Sequence, residues 1–181
     1  MRTPPAAPGI IELNVQSVSQ LFNSLDPAPF HERDLDRDAE EFIVSWAREF
    51  PRKAPIRVVI HMPVAEANAA QPDGIAKAFK TYFGLRAVMA ERERRELMRL
   101  GRIYLLIGLP VLAACLALSQ LADNVVRGPA MLKVIEESLI IVGWVVNWKT
   151  IETFLYDWQP IARRRDLYRR LEAAEVRVDG H

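Results

Sequence analysis

An uncharged apolar run, IYLLIGLPVLAACLALSQL, fills residues 103–121. At 1.5 Å per residue, a helix of this length crosses a hydrocarbon core of about 30 Å. A second run of the same length at residues 138–156, SLIIVGWVVNWKTIETFLY, contains Asn147, Lys149 and Glu152. Together the two runs predict a two-helix transmembrane hairpin, with a buried helix of a soluble protein as the alternative for the first run.

The distribution of arginine predicts the orientation of this hairpin. Arginines are dense before the first run and after the second, whereas the connector at 122–137 holds Arg127 and Lys133 against several acidic residues. The positive-inside rule therefore places both termini in the cytoplasm and the connector outside. Nucleic acid is not predicted as a partner, because the arginines alternate with glutamates and form no basic face. The candidates for contact with the headgroups of the lipid bilayer are Arg95, Arg99, Arg102, Arg163, Arg164 and Arg165.

The composition fits a chain divided between water and lipid, since 50% of the residues are hydrophobic and 26% are charged. We predict a flexible tail at 1–9, followed by a small cytoplasmic α/β domain at 10–100. Cys115 is the one cysteine in the sequence, so no intrachain disulfide is expected. The N-terminal residues lack the apolar core of a signal peptide, so the first span is expected to remain uncleaved.

Alternating apolar residues predict strands at 10–16 and 56–62, and a third strand at 175–179 that carries Val176 and Val178. Helices separate the first two strands, which favours a parallel pair with a right-handed crossover. Two strands alone make a marginal sheet, so the third strand is the preferred interpretation and a frayed tail is the alternative. The hairpin would then be inserted between two parts of one cytoplasmic domain.

Helical periodicity and capping residues predict the remaining elements. Ser17 and Gln20 form a capping-box pair for one helix, and Asp38 is expected to cap a second helix whose apolar stripe places Trp46 in the core. Gly84 is expected to interrupt the helices that precede the first span. The other assignments are a loop at 64–71, helices at 74–83 and 85–101, a turn at 158–160, and a cytoplasmic helix within 157–181.

The acidic run at 31–41 is the one segment that suggests reaction chemistry. His31 lies beside acidic residues, but no nucleophile motif accompanies it. The spacing does not match an EF-hand, because Ala39 and Ser45 stand where that loop needs glycine and glutamate. We therefore predict no catalytic, cofactor-binding or metal-binding residues, and no cofactor.

The polar residues of the second run suggest where a partner could bind. Ionisable side chains inside a bilayer cost up to about 3 kcal/mol each on insertion scales, so they usually face protein or water. Either this part of the helix lies at the membrane interface, with Lys149 reaching the headgroups, or it contacts another membrane protein or a second copy of the chain. The interaction candidates are Asn147, Lys149, Glu152, Trp144 and Trp148.

The stretches LFNSLDPAPFHERDLD (21–36), AEEFIVSWA (39–47) and IVGWVVNWKTIETFLYDWQP (141–160) resemble an uncharacterised family of small bacterial inner-membrane proteins with two transmembrane helices. The resemblance covers most of residues 10–178. It implies a location in the bacterial inner (plasma) membrane and brings no functional residues with it.

Three functions remain compatible with these observations. The first is a non-enzymatic accessory protein that presents a cytoplasmic α/β domain and belongs to a larger membrane complex. The second is a small channel or transporter component that uses Asn147, Lys149 and Glu152 in an oligomer. The third is a cytoplasmic-side enzyme built around residues 31–41.

Overall fold

The computed structural model describes residues 9–23, 33–69, 72–125 and 128–180. The chain divides into two compact units. Residues 1–90 and 163–181 form one of them, called here the sheet unit, and residues 91–162 form the other, called the helical unit. The helical unit is therefore inserted between two parts of the sheet unit, as the sequence predicted.

The chain is mostly helical and carries one small parallel sheet. The strands are β1 (Gly9–Asn14), β2 (Ile56–Met62) and β3 (Glu175–Gly180), and the helices are α1 (Arg37–Glu49), α2 (Val64–Ala69), α3 (Pro72–Val125), α4 (Pro129–Glu152) and α5 (Trp158–Glu172). A short 3₁₀ helix at Val18–Gln20 follows β1, and a π-helical segment at Thr153–Asp157 joins α4 to α5.

The sheet has the order β1-β2-β3 with both pairs parallel, which confirms the predicted third strand. Arg177 stands beside Val59 in this register. Glu12 of β1 is not a neighbour of Arg177, because β2 lies between the two outer strands. Glu175 pairs with Arg57 instead, and the guanidinium groups of Arg177 and Arg57 hold the pKa of Glu175 below its usual value.

The core lies on one face of the sheet. Ile11 of β1 and Val58 and Ile60 of β2 are buried there against residues such as Ile43 of α1 and Leu171 of α5. Connections between parallel strands are almost always right-handed. Because the strands follow one another across the sheet in chain order, two right-handed connections place their helices on the same face. The opposite face carries exposed residues on the two outer strands and half-buried residues on the central strand.

Several local assignments differ from the sequence predictions. Ser17 makes no side-chain cap bond, and Gln20 Oε1 instead accepts from the Gln16 N–H at 2.7 Å, so only a 3₁₀ turn forms. Asp36, not Asp38, caps α1, because its carboxylate accepts from the Asp38 N–H. The expected loop at 64–71 contains α2, whose N-terminal residue Val64 packs near Gly180 of β3.

A single helix, α3, replaces the two helices predicted on either side of Gly84. A Cβ atom at Gly84 would lie 3.0 Å from Glu172 Oε1 of α5, so glycine serves there for close approach rather than for a break. α3 extends to residue 125 and α4 begins at Pro129. The predicted connector at 122–137 is therefore largely helical.

The expected turn at 158–160 is a continued helix with a π-helical segment before it. Pro160 lacks an N–H and crowds the carbonyl four residues earlier, which favours such a bulge. Two side chains donate hydrogen bonds to backbone carbonyls of this segment. Trp158 Nε1 donates to the Phe154 carbonyl at 2.9 Å, and Gln159 Nε2 donates to the Leu155 carbonyl at 2.7 Å.

Candidate functional sites

Small residues let α3 and α4 pack closely inside the helical unit. Gly101, Gly108 and Cys115 recur at intervals of seven residues along α3 and are all buried. A Cβ atom at Gly101 would lie 3.1 Å from Thr153 Cγ2, and one at Gly108 would lie 2.5 Å from Asn147 Oδ1. The contact made by the later residue of α3, Gly108, is therefore with the earlier residue of the partner helix, Asn147. The two helices are antiparallel. We call this contact the seam.

Burial in the helical unit is the reverse of that in a water-soluble protein. The buried polar residues at the seam are Ser119, Asn147, Thr150 and Thr153. Large apolar side chains point outward instead, with Leu106 74% exposed and Val145 67% exposed. Among the described residues, α3 is the one helix that is long and apolar enough to cross a membrane, by length and composition alone. Only 17% of its apolar window is buried within the protein.

Asn147 is the central polar residue of the seam. Its Nδ2 donates to the Gly108 carbonyl at 3.0 Å and to the Gly143 carbonyl at 2.9 Å. This predicted interaction residue therefore has its partners inside the chain. The outward tryptophans differ, because Trp144 is 58% exposed and Trp148 is 61% exposed.

Lys149 and Glu152, three residues apart on α4, form an ion pair, with Nζ 3.2 Å from Glu152 Oε2. The structure adds a second carboxylate that sequence reasoning missed, since Asp157 Oδ2 lies 3.1 Å from the same Nζ. The π-helical segment brings these residues together, and Thr153 Oγ1 also lies 3.2 Å from Asp157 Oδ2. The ammonium group is thus neutralised within its own helix.

The arginines assigned to lipid headgroups fall in both units. In the helical unit, Arg95, Arg99 and Arg102 are exposed and lie on one side of α3, immediately before its apolar stretch. Arg95 is paired with Glu91 at 3.1 Å. In the sheet unit, Arg163 is exposed, Arg164 is half-buried, and Arg165 pairs with Asp166.

A polar cluster around Glu40 joins three helices of the sheet unit. Glu40 Oε2 accepts from the Tyr82 hydroxyl at 2.7 Å, and its Oε1 accepts from Arg86 Nη2 at 2.6 Å. The Tyr168 hydroxyl of α5 lies 3.4 Å from Oε1. The Arg86 guanidinium also stands over the rings of Tyr82 and Tyr168, 5.8 Å and 5.6 Å from their centroids. The cluster fixes the packing of α1, α3 and α5, and no sequence pattern singled it out.

The cluster makes the stability of the sheet unit sensitive to alkaline pH. Burial, and then the hydrogen bond to Glu40, raise the pKa of Tyr82 well above its usual value of about 10. A raised folded-state pKa stabilises the fold fully below the unfolded-state value, and that contribution is lost as the pH rises above it. We expect the urea midpoint to fall between about pH 9 and pH 11, and to fall less in Tyr82→Phe. An equal fall of the urea midpoint with pH in the wild type and in Tyr82→Phe would contradict this prediction.

A groove of about 550 Å³ runs between the end of β1 and the start of α1 in the sheet unit. Its described walls carry the carboxylates of Glu12, Asp36 and Asp38. Phe42 lines the groove and packs against Trp46, with ring centroids 6.0 Å apart. The prediction that Trp46 lies in the core is wrong, because α1 turns Ile43 and Ala47 inward and leaves Phe42 and Trp46 43% and 45% exposed.

The acidic run at 31–41 contributes Asp36 and Asp38 to the walls of this groove. His31 lies outside the described residues. Glu40, from the same run, belongs to the part-buried polar cluster with Tyr82 and Arg86. Within 33–69 and the other described ranges, no group of three or more His, Cys, Asp or Glu side chains is placed to hold a metal ion.

Comparison with protein families, with curated proteins and with solved structures found no match to this chain. The resemblance to small bacterial inner-membrane proteins therefore stays a prediction.

Proposed function

We propose that this chain is a membrane-anchored, non-enzymatic interaction protein, in which α3 and α4 form a two-helix transmembrane hairpin. The observation that carries the proposal is the reversed burial of the helical unit, with polar and small residues at the seam and large apolar side chains outside. In water, such a surface would be a severe aggregation hazard. In hydrocarbon, close packing through small residues and interhelical hydrogen bonds is how helices associate.

The sheet unit supplies the reason for an interaction role. Parallel sheets are almost always covered on both faces, whereas the helices that the structure describes in this unit pack on one face of the sheet. The exposed pair Phe42 and Trp46 adds aromatic surface of the kind that protein partners use, and Phe42 also lines the groove beside β1. We therefore propose that the chain is an accessory or assembly subunit of a larger membrane complex in the bacterial inner membrane, with the sheet unit in the cytoplasm.

The test of this proposal is the membrane topology. In a Cys115→Ala background, single cysteines are placed at Arg2, Asn124 and His181, and intact cells are treated with a thiol reagent that does not cross the membrane. We expect the cysteine at position 124 to be labelled, because it follows the apolar stretch of α3, and the other two to be protected. Permeabilised cells provide the control, since all three positions should then react.

Two results would count against the anchor. Recovery of the chain in the soluble fraction after alkaline carbonate washing would contradict the proposal that the chain spans the membrane. Labelling of position 2 or 181 in intact cells, with position 124 protected, would reverse the proposed orientation.

A further inference from the structure

The outer edge of β1 offers backbone groups for another strand. Gly9 and Val15 donate their N–H groups toward β2, to the carbonyls of Pro55 and His61. Because backbone groups alternate in direction along a strand, those of Ile10, Glu12 and Asn14 face away from β2. Within the described part of the chain, β2 is the one strand that pairs with β1. The described strand itself, Gly9–Asn14, contains no lysine or proline of the kind that protects sheet edges against pairing.

The groove described above lies along the same edge and defines what fits there. Its described walls carry the carboxylates of Glu12, Asp36 and Asp38 and no basic side chain. Phe42 and Leu13 supply apolar surface on the side of α1. A strand added here would alternate in the same way as β1, with one set of side chains beside Glu12 and the other set toward Phe42.

We propose that the edge of β1 binds an extended segment of a partner protein, which adds a fourth strand and alternates basic with apolar side chains. Main-chain hydrogen bonds to Ile10, Glu12 and Asn14 hold the segment. Lysine or arginine side chains pair with the carboxylates, and apolar side chains cover the exposed ring of Phe42. The proposal deepens the interaction role given above and rests on that role alone, not on the membrane anchor.

Synthetic peptides test the charge preference on the purified full-length protein in a non-ionic detergent. The first probe is a fluorescein-labelled peptide of seven alternating lysine and valine residues, and the second replaces each lysine by glutamate. We expect fluorescence anisotropy to show at least about tenfold tighter binding of the lysine peptide, a difference of about 1.4 kcal/mol. Equal affinity for the two peptides, or no binding of either at about 1 mM, would overturn the proposal.

Backbone methylation separates strand addition from simple charge attraction. Methylating the alternate amides that face β1 should abolish binding, whereas methylating the other set should leave it nearly unchanged. The protein offers a matched pair of variants. Asn14→Pro removes an outward N–H without touching the β1–β2 ladder and should weaken binding by about tenfold or more, while Asn14→Ala should retain it.

If the peptide affinity is the same for both methylation patterns and for both Asn14 variants, no strand is added. The methylated peptides act on the wild-type protein, so this result does not depend on how well Asn14→Pro folds. Because these assays use detergent solution, they also fail or succeed independently of the topology experiment.

Discussion

Gly108→Leu should open the seam and speed the reaction of Cys115 with a bilayer-permeant thiol reagent by about tenfold or more. A Cβ atom at this position would lie 2.5 Å from Asn147 Oδ1, and Asn147 is held in place by its bonds to two carbonyls. Overpacking of this kind typically costs about 1–3 kcal/mol. Cys115 is the only cysteine and is 7% exposed at the seam, so its reaction rate reports seam opening directly.

The control for this variant is a change of similar size on the outer side of the same helix. Leu106→Ala alters a side chain that is 74% exposed, and it should leave the Cys115 rate within about twofold of the wild type. Gly108→Ala should fall between the two. A Gly108→Leu protein whose Cys115 reacts at the wild-type rate would show that α3 and α4 do not depend on this contact.

Ending the chain after Ala174 should destabilise the sheet unit by several kcal/mol, because it removes all of β3. Val176 and Val178 of β3 pack against the core, and the strand forms a full parallel ladder with β2. Each ladder hydrogen bond contributes about 0.5–1.5 kcal/mol, and a sheet of two strands is marginal in water. A small domain has a total stability of only about 5–15 kcal/mol, so pulse proteolysis should find the sheet unit largely unfolded at urea concentrations that the wild type resists.

A matched substitution separates the contribution of strand β3 to stability from that of its surface charges. Arg177→Gln removes one arm of the surface ion pairs with Glu175, and it should change stability by less than about 1 kcal/mol since both side chains are about half exposed. The helical unit should keep its slow Cys115 reaction in the truncated chain. Urea resistance of the truncated protein equal to that of the wild type would mean that β3 contributes nothing to the sheet.

Features that depend on neighbouring residues were predicted well from the sequence. The strands at 10–16, 56–62 and 175–179 are present within two residues of their predicted ends, because alternation of apolar side chains is a local property. The apolar stretch at 103–121 lies within one long helix, as its lack of charge required. The insertion of the helical unit between two parts of the sheet unit followed from the third strand.

Helix boundaries and helix rotation were predicted less well. Gly84 does not end a helix, because a single glycine costs only about 1 kcal/mol inside one and α5 packs against it there. The chain does not turn at 158–160, because the π-helical segment before Pro160 lets the helix continue. On α1, the sequence placed Trp46 in the core, whereas the structure buries Ile43 and Ala47 and leaves Trp46 exposed. The apolar stripe of this helix is wider than the surface that the sheet covers, and only packing decides which of its side chains stay outside.

The candidate sites also divide into features that the sequence predicted and features that only the fold produced. The sequence by itself determined that the chain has an uncharged apolar segment, where its polar interruptions fall and which segments alternate, because these are properties of short stretches. Only the tertiary structure decided that Asn147 faces Gly108, that Glu40 holds Tyr82 and Arg86, and that acidic side chains of α1 and its cap lie beside the end of β1. Each of these sites joins residues that are distant in the chain, and their spacing along the sequence carries no periodic signal that could have brought them together.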